Sequence, residues 1–406
     1  MTDTSHADRT DVPDFPATRP EGCPFDPDER FTRLRAEEPV SAVHCPAGID
    51  AFLVSRYEDI RSVLTDPRLS SRGASSMHML PGYDMPPASP GAIISLDGEE
   101  HARLRRLLIG EFTVRRMEAL RPYVQQIADE RVDAMLAGPG TADVVHDFAL
   151  PIPSLVICEL LGVPYADREA FQHDSEVLIG FDADPATRTA ATQRLSGYLG
   201  DLVGQRSAEP RDDLLSRLIA RANETGQPLT VQELITLGVT LLVAGHETTA
   251  NMIALSTLVL LENPDQRGVL LGTSEPVGAA VEELLRYLTV IQFGLLRHAT
   301  EDVPVGDSVV RAGQWLVAAI QSGNRDEKVF PGPDAVDLGR QARTHLAFGF
   351  GAHQCLGQQL ARIEMQVALT TLFRRVPTLR PAGPVARLEF KRNDVVYGLR
   401  SMPVTW

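Results

Sequence analysis

The chain has 406 residues, of which 43% are hydrophobic, enough to bury a large core together with a cofactor. Its formal net charge of −15 argues against a general nucleic-acid binder. Cys23, Cys45, Cys158 and Cys355 show no Cys-x-x-Cys spacing, which points to a reducing compartment and excludes a disulfide framework.

Residues 1–20 are polar and rich in Asp, Thr and Pro, without the apolar run of a signal peptide or anchor. They are expected to form a flexible tail ahead of a single domain over 21–406, in a cytoplasmic, membrane-free monomer. The pattern then predicts a helix over 26–38, a strand pair over 40–44 and 51–54, and a helix over 56–64. Residues 70–95 are rich in Ser, Gly, Pro and Met. Long loops of this kind are often functional, and Met77, Met79 and Met85 would make an adaptable apolar wall. The next helix starts near Asp97 and carries His101, Arg103, Arg105 and Arg106. His101 and Arg105 stand at i and i+4, so they share a face, while Arg103 points elsewhere. Further helices are predicted over 114–136, 151–161, 166–180, 185–206 and 212–225.

Thr230-Val231-Gln232-Glu233 reads as a capping box, and an apolar helix follows to Glu262, ended by Asn263-Pro264. At about 1.5 Å per residue it spans roughly 48 Å, enough to cross the whole molecule. At its centre stands Ala244-Gly245-His246-Glu247-Thr248-Thr249, poor helix formers in the longest helix, and such breaks of a local rule tend to mark function. Thr248 can bond back to the Ala244 carbonyl, loosening the ladder and opening a small groove. Downstream, Glu283 and Arg286 form an acid–base pair at i and i+3. Near the end comes Phe348-Gly349-Phe350-Gly351-Ala352-His353-Gln354-Cys355-Leu356-Gly357, followed by a helical pattern. Gly349 and Gly351 permit a tight loop, and Gly357 would let the next helix pack close behind. Cys355 at the helix entrance favours a thiolate. A lone thiolate suits a haem iron, which needs one soft axial ligand, better than zinc, which wants four.

That string matches Phe-Gly-x-Gly-x-His-x-Cys-x-Gly at Phe348, Gly349, Gly351, His353, Cys355 and Gly357, and resembles the haem-binding loop of the cytochrome P450 family. The central-helix string is similar to the family's Ala-Gly-x-(Asp/Glu)-Thr-Thr. The resemblance covers about residues 22–406. It implies a mainly α fold, a multi-helix triangular prism with a small β-rich subdomain near the N-terminus. It also implies haem b, with Cys355 as the thiolate ligand to iron. Phe348, Gly349, His353, Gly357, Ala244 and Gly245 would then lie against the haem, with Gly245 leaving room for dioxygen. His101, Arg105 and Arg297 would bind its propionates. Glu247 and Thr248 would deliver protons. Glu283, Arg286 and Arg340 would clamp the framework of the loop. Met77, Met79, Met85, Ile94, Thr240, Val243, Ala244, Phe293, Gly294 and Val395 would line the substrate pocket, under a lid made by the helix pair over 166–206.

The activity so implied is insertion of one oxygen atom of dioxygen into a C–H bond, by hydroxylation or epoxidation. The substrate would be a bulky apolar molecule such as a macrolide, another polyketide, a steroid or a terpenoid. Electrons would come from NAD(P)H through ferredoxin reductase and a ferredoxin, docking near Arg103, Arg106 and Arg362. A haem sensor or electron carrier is the alternative, and it has no need of Glu247 and Thr248. A thiol hydrolase built on Cys355 and His353 would leave the glycines and the propionate set unexplained.

Overall fold

The computed structural model describes residues 13–15, 19–20, 23–45, 48–72, 89–272 and 277–406. The central helix is Val231–Glu262. Its start is fixed by the capping box: the Thr230 hydroxyl accepts from the Glu233 N–H, and the Glu233 carboxylate accepts from the Thr230 N–H. Every residue from Thr249 to Leu260 is buried, so this half is packed on all sides. The helices Pro151–Leu161, Pro185–Ala208 and Gln358–Arg375 pack around it. The stretch Val144–Leu161 is apolar and long enough to cross a membrane by composition, yet 67% of it is buried inside the protein.

The helix expected over 114–136 is two, Val114–Ala119 and Arg121–Leu136. Pro122, which has no N–H to give, sits in the first turn of the second. Residues Val144–Ala149 form a wider π turn that the pattern did not signal.

The β-rich part is a five-stranded sheet. Its strands, in order across the sheet, are Val40–Cys45, Ile49–Val54, Trp315–Ala318, Leu295–Ala299 and Leu69–Ser70. The N-terminal hairpin is thus completed by strands from the second half of the chain, with Ile49–Val54 and Trp315–Ala318 parallel.

The tail expected over 1–20 is corrected at the residues described. Phe15 is 2% exposed in a core cluster with Phe31, Val43 and Leu53, and its N–H donates to the His44 carbonyl at 2.8 Å. Arg19 is buried, donates to the carbonyls of Phe25 and Thr289 at 3.3 Å each, and lies 3.9 Å over the Tyr397 ring. An aromatic and an arginine amid polar residues carry no period, so their burial left no sequence pattern.

The helices Arg168–Ile179 and Pro185–Ala208 are joined by a link that is tied to the C-terminal segment. The Phe181 N–H donates to the Asn393 carbonyl (3.1 Å), and the Val395 N–H to the Ile179 carbonyl (3.0 Å). The Phe181 ring stacks on Phe293 with centroids 4.8 Å apart.

Candidate active site

The loop ahead of Gln358–Arg375 is shaped by its backbone. Gly349 and Gly351 have φ of +69° and +76°, the left-handed region. A Cβ on Gly351 would lie 2.6 Å from the Leu64 carbonyl oxygen, so no other residue fits there. The Cys355 N–H donates to the Phe348 carbonyl at 2.9 Å and closes the loop. The Arg362 guanidinium lies 4.6 Å from the Phe348 ring centre and backs the loop. Cys355 is the one exposed cysteine of the four, yet protein surrounds it densely, as expected of a side chain facing an internal hollow. Burial pushes its thiol up. The N–H groups of Gly357 and Gln358, and the charges of Arg105 and Arg362, pull the other way.

On the central helix, Thr240 and Thr248 are half-buried and Ala244 is exposed, at i, i+4 and i+8, with Val243 beside them. These residues form an open stripe in the middle of the helix, ahead of its fully buried half. The Thr248 hydroxyl donates to the Ala244 carbonyl at 2.9 Å, as expected, but the helix continues unbroken through this stretch. Glu247 is 3% exposed. Its Oε2 accepts from the Asn251 amide at 3.2 Å and from Lys391 Nζ at 3.3 Å.

Three nitrogen-bearing side chains converge without a full set of partners. His101 is 5% exposed, and among the described residues its Nε2 has no hydrogen-bond partner. Burial, with His353 and Arg105 nearby, lowers its pKa to about 4, against the pull of Asp97. Arg297 is 7% exposed on the strand Leu295–Ala299, and among the described residues it donates only to the Leu296 carbonyl, at 2.7 Å. Burial lowers it to about 10, with Asp97 raising it. Arg105 donates to the Gln354 carbonyl at 2.6 Å. The His353 ring lies 4.1 Å from that of His101, and its Nε2 is 3.4 Å from Asp97 Oδ1.

A family model described as Cytochrome P450 matches residues 277–381. Cytochrome P450-SU2 of Streptomyces griseolus is 47% identical, over 98% of this chain and 99% of its own. The chain belongs to the cytochrome P450 family. Vitamin D3 dihydroxylase, also of Streptomyces griseolus, is 43% identical over 100% of both chains. The crystal structure of CYP105P1 in complex with filipin I matches with a TM-score of 0.92 at 43% identity, covering 98% of this chain and 99% of that one. The fold is that of a P450, the cofactor is haem with a thiolate-ligated iron, and the enzyme class is monooxygenase.

The residues present fit the P450 haem. A thiol kept protonated by burial, with N–H donors and cations aimed at it, is one that a bound metal deprotonates. The unpartnered His101 Nε2 and the under-used Arg297 guanidinium are donors for carboxylates such as the propionates.

Several expectations about single residues need correction. A Cβ on Gly245 would meet Ile157 side-chain atoms at 3.0 Å, so this glycine also lets the helix Pro151–Leu161 pack close. A Cβ on Gly294 would lie 2.6 Å from the Ala318 carbonyl oxygen, so this glycine serves the sheet rather than the substrate face. A Cβ on Gly357 would meet nothing within 4 Å, so close packing of the following helix is not its reason. Arg362 chelates Glu282 at 2.6 and 3.0 Å, and Arg103 pairs with Glu233; both are drawn inward. Arg106 keeps 60% of its side chain exposed.

Phe293 is buried against Phe181, Val395 lies in the same cluster, and Ile94 is 58% exposed. Met77, Met79 and Met85 fall outside the described residues. Glu283, Arg286 and Arg340 are brought together: Arg286 meets both Glu283 oxygens at 2.7 and 2.8 Å, and Arg340 Nε is 3.1 Å from Oε1. Sequence reasoning missed Lys391 and Asn251. Asn251 stands at i+4 from Glu247, a readable spacing, whereas Lys391 is 144 positions away.

Proposed function

We propose that the chain hydroxylates a bulky apolar small molecule of the macrolide, polyketide, steroid or terpenoid kind, with Cys355 as the thiolate ligand and a ferredoxin as electron donor. The observation that carries this is the acid–alcohol pair at the middle of the central helix. Thr248 sits on the open stripe beside Ala244, and Glu247 is buried behind it. A haem sensor or electron carrier has no use for such a pair. Haem held by a thiolate supplies dioxygen reduction and oxygen insertion. The chain's own residues then hold the propionates through His101, Arg105 and Arg297, with His353 bracing His101. They move protons through Glu247 to the Thr248 hydroxyl. Lys391 and Asn251 fix one oxygen of Glu247.

A bulky guest is supported by a relative named for dihydroxylating vitamin D3 and by a structural neighbour crystallised with filipin I. The partly exposed Phe181 and Val395 would offer it apolar surface, as would Thr240, Val243 and Ala244 on the central helix. Of Arg103, Arg106 and Arg362, Arg106 is the most exposed candidate for docking a ferredoxin, at 60% of its side chain, although it pairs with Glu99 at 2.5 Å.

The test is a spectral titration of the ferric protein with macrolides, steroids and terpenoids. A saturable low-to-high-spin shift with one class, followed by turnover with a surrogate ferredoxin, is the expected result. Binding and turnover confined to small polar compounds would overturn the proposed guest. Cys355→Ala is expected to lose the red-shifted Soret band of the carbon monoxide complex. A normal band in that variant would reject Cys355 as the ligand.

A further inference from the structure

His246 lies beside Glu247 and is fully buried, at 0% exposure. Its Nδ1 is 2.7 Å from the Leu242 carbonyl oxygen. A carbonyl only accepts, so Nδ1 carries the ring proton and Nε2 presents a bare lone pair. Among the described residues that Nε2 has no hydrogen-bond partner, and it stands 3.9 Å from Glu247 Oε1. Both bonds made to the Glu247 carboxyl, from Asn251 and Lys391, fall on Oε2. Two acceptors therefore face each other with no donor between them. An orphaned buried acceptor is costly and calls for an explanation. The Phe171 ring, 3% exposed, packs edge-on over the imidazole with centroids 5.7 Å apart and seals it from solvent.

We propose that His246 is a positioning residue for proton delivery, whose Nε2 shares with Glu247 Oε1 the proton that Glu247 passes toward Thr248. This rests on the acid–alcohol reading above. One proton completes the pair: at rest it sits on Oε1 and hydrogen-bonds to Nε2, and it crosses onto Nε2 only in passing. No other bond changes. When the proton leaves toward Thr248, the carboxylate stays balanced by the Lys391 ammonium and the Asn251 amide. The charged groups facing His246 are Glu247 from its own helix and Lys391 from the C-terminal segment. Burial and Lys391 keep the ring neutral at rest, while Glu247 and the Leu242 carbonyl favour its brief protonation. The ring thus passes the proton without keeping it.

The experiment combines spectroscopy with coupling. In protein labelled with 15N-histidine, as the diamagnetic ferrous carbon monoxide complex, His246 should show a protonated Nδ1 and a bare Nε2. Glu247→Gln, which offers an amide N–H in place of Oε1, should move the Nε2 resonance and leave Nδ1 nearly fixed. A protonated Nε2, or an Nε2 resonance indifferent to Glu247→Gln, overturns the proposal even if variants at 246 fail to fold. In turnover, His246→Phe should lower kcat about tenfold or more, with KM little changed, and divert reductant to hydrogen peroxide. His246→Gln, which keeps an acceptor, should recover much of the loss. Normal coupling in His246→Phe, with Glu247→Gln and Thr248→Ala both uncoupled, sinks this inference alone. Normal coupling in all three variants sinks the acid–alcohol reading with it.

Discussion

Thr248 contributes one hydroxyl at the open stripe, and its loss leaves the helix ladder intact. Thr248→Ala is expected to keep haem and substrate binding while product per reductant falls severalfold and hydrogen peroxide rises. Peroxide measured against reductant consumed checks this, and unchanged coupling would count against proton delivery through Thr248. Asp394 makes a different prediction. It is 2% exposed, and burial pushes its carboxyl up to about 6, against Lys391 and Arg400, with Asp182 and Glu176 adding to the rise. Between about pH 4 and 6 the native state holds a proton that the unfolded chain has released. This contribution to stability is therefore complete below about pH 4 and lost as pH rises through 6. Asp394→Asn should stabilise the protein at pH 7.5 by about 1–3 kcal/mol and flatten the slope. Melting temperatures across pH 4–8 would read it. Neither the burial of Asp394 nor the Lys391 contact with Glu247 was legible in the sequence. Both arise where the C-terminal segment folds back over elements far away in the chain.

Among elements, the clamp joins a helix to the irregular segment before the haem loop. Arg286 and Glu283 are both 0% exposed, and Arg286 also donates to the carbonyls of Asn324 (2.8 Å) and Pro333 (2.9 Å). Arg286→Ala leaves the Glu283 carboxylate buried and should cost about 3–5 kcal/mol. Arg340→Ala, whose side chain is 14% exposed, should cost less. Denaturant unfolding of both variants tests the order, and equal losses would contradict it. Here the sequence spoke clearly, because caps, breakers and short motifs are local. Thr230 and Glu233 marked the start of the central helix, and Asn263-Pro264 its end. The strands Leu295–Ala299 and Trp315–Ala318 were silent as a sheet, because pairing with residues 49–54 and 69–70 is a tertiary choice. The two glycines misread at 294 and 357 show the same limit. A glycine announces that space matters, and only the packed neighbours say on which side.

For the whole molecule, the first twenty residues are part of the fold at Phe15 and Arg19. Deleting residues 1–20 removes a buried aromatic and an arginine that ties the segments near Thr289 and Tyr397 together. A loss of about 3 kcal/mol or more is expected, read as a lowered melting temperature. An unchanged melting temperature would return these residues to the role of a tail. The five-stranded sheet has a consequence in time as well as in space. The hairpin of residues 40–54 leaves the ribosome about 260 residues ahead of Trp315–Ala318, the strand that must lie along its Ile49–Val54 edge. At about 5–20 residues per second, that edge waits on the order of 10–50 s for its partner. Throughout that interval it is an open template on which a second nascent chain can dock. The yield of this enzyme in a fast-translating host is therefore set early, by how well chaperones shield one short β-edge, and slowing synthesis after codon 54 would lengthen the hazard rather than relieve it.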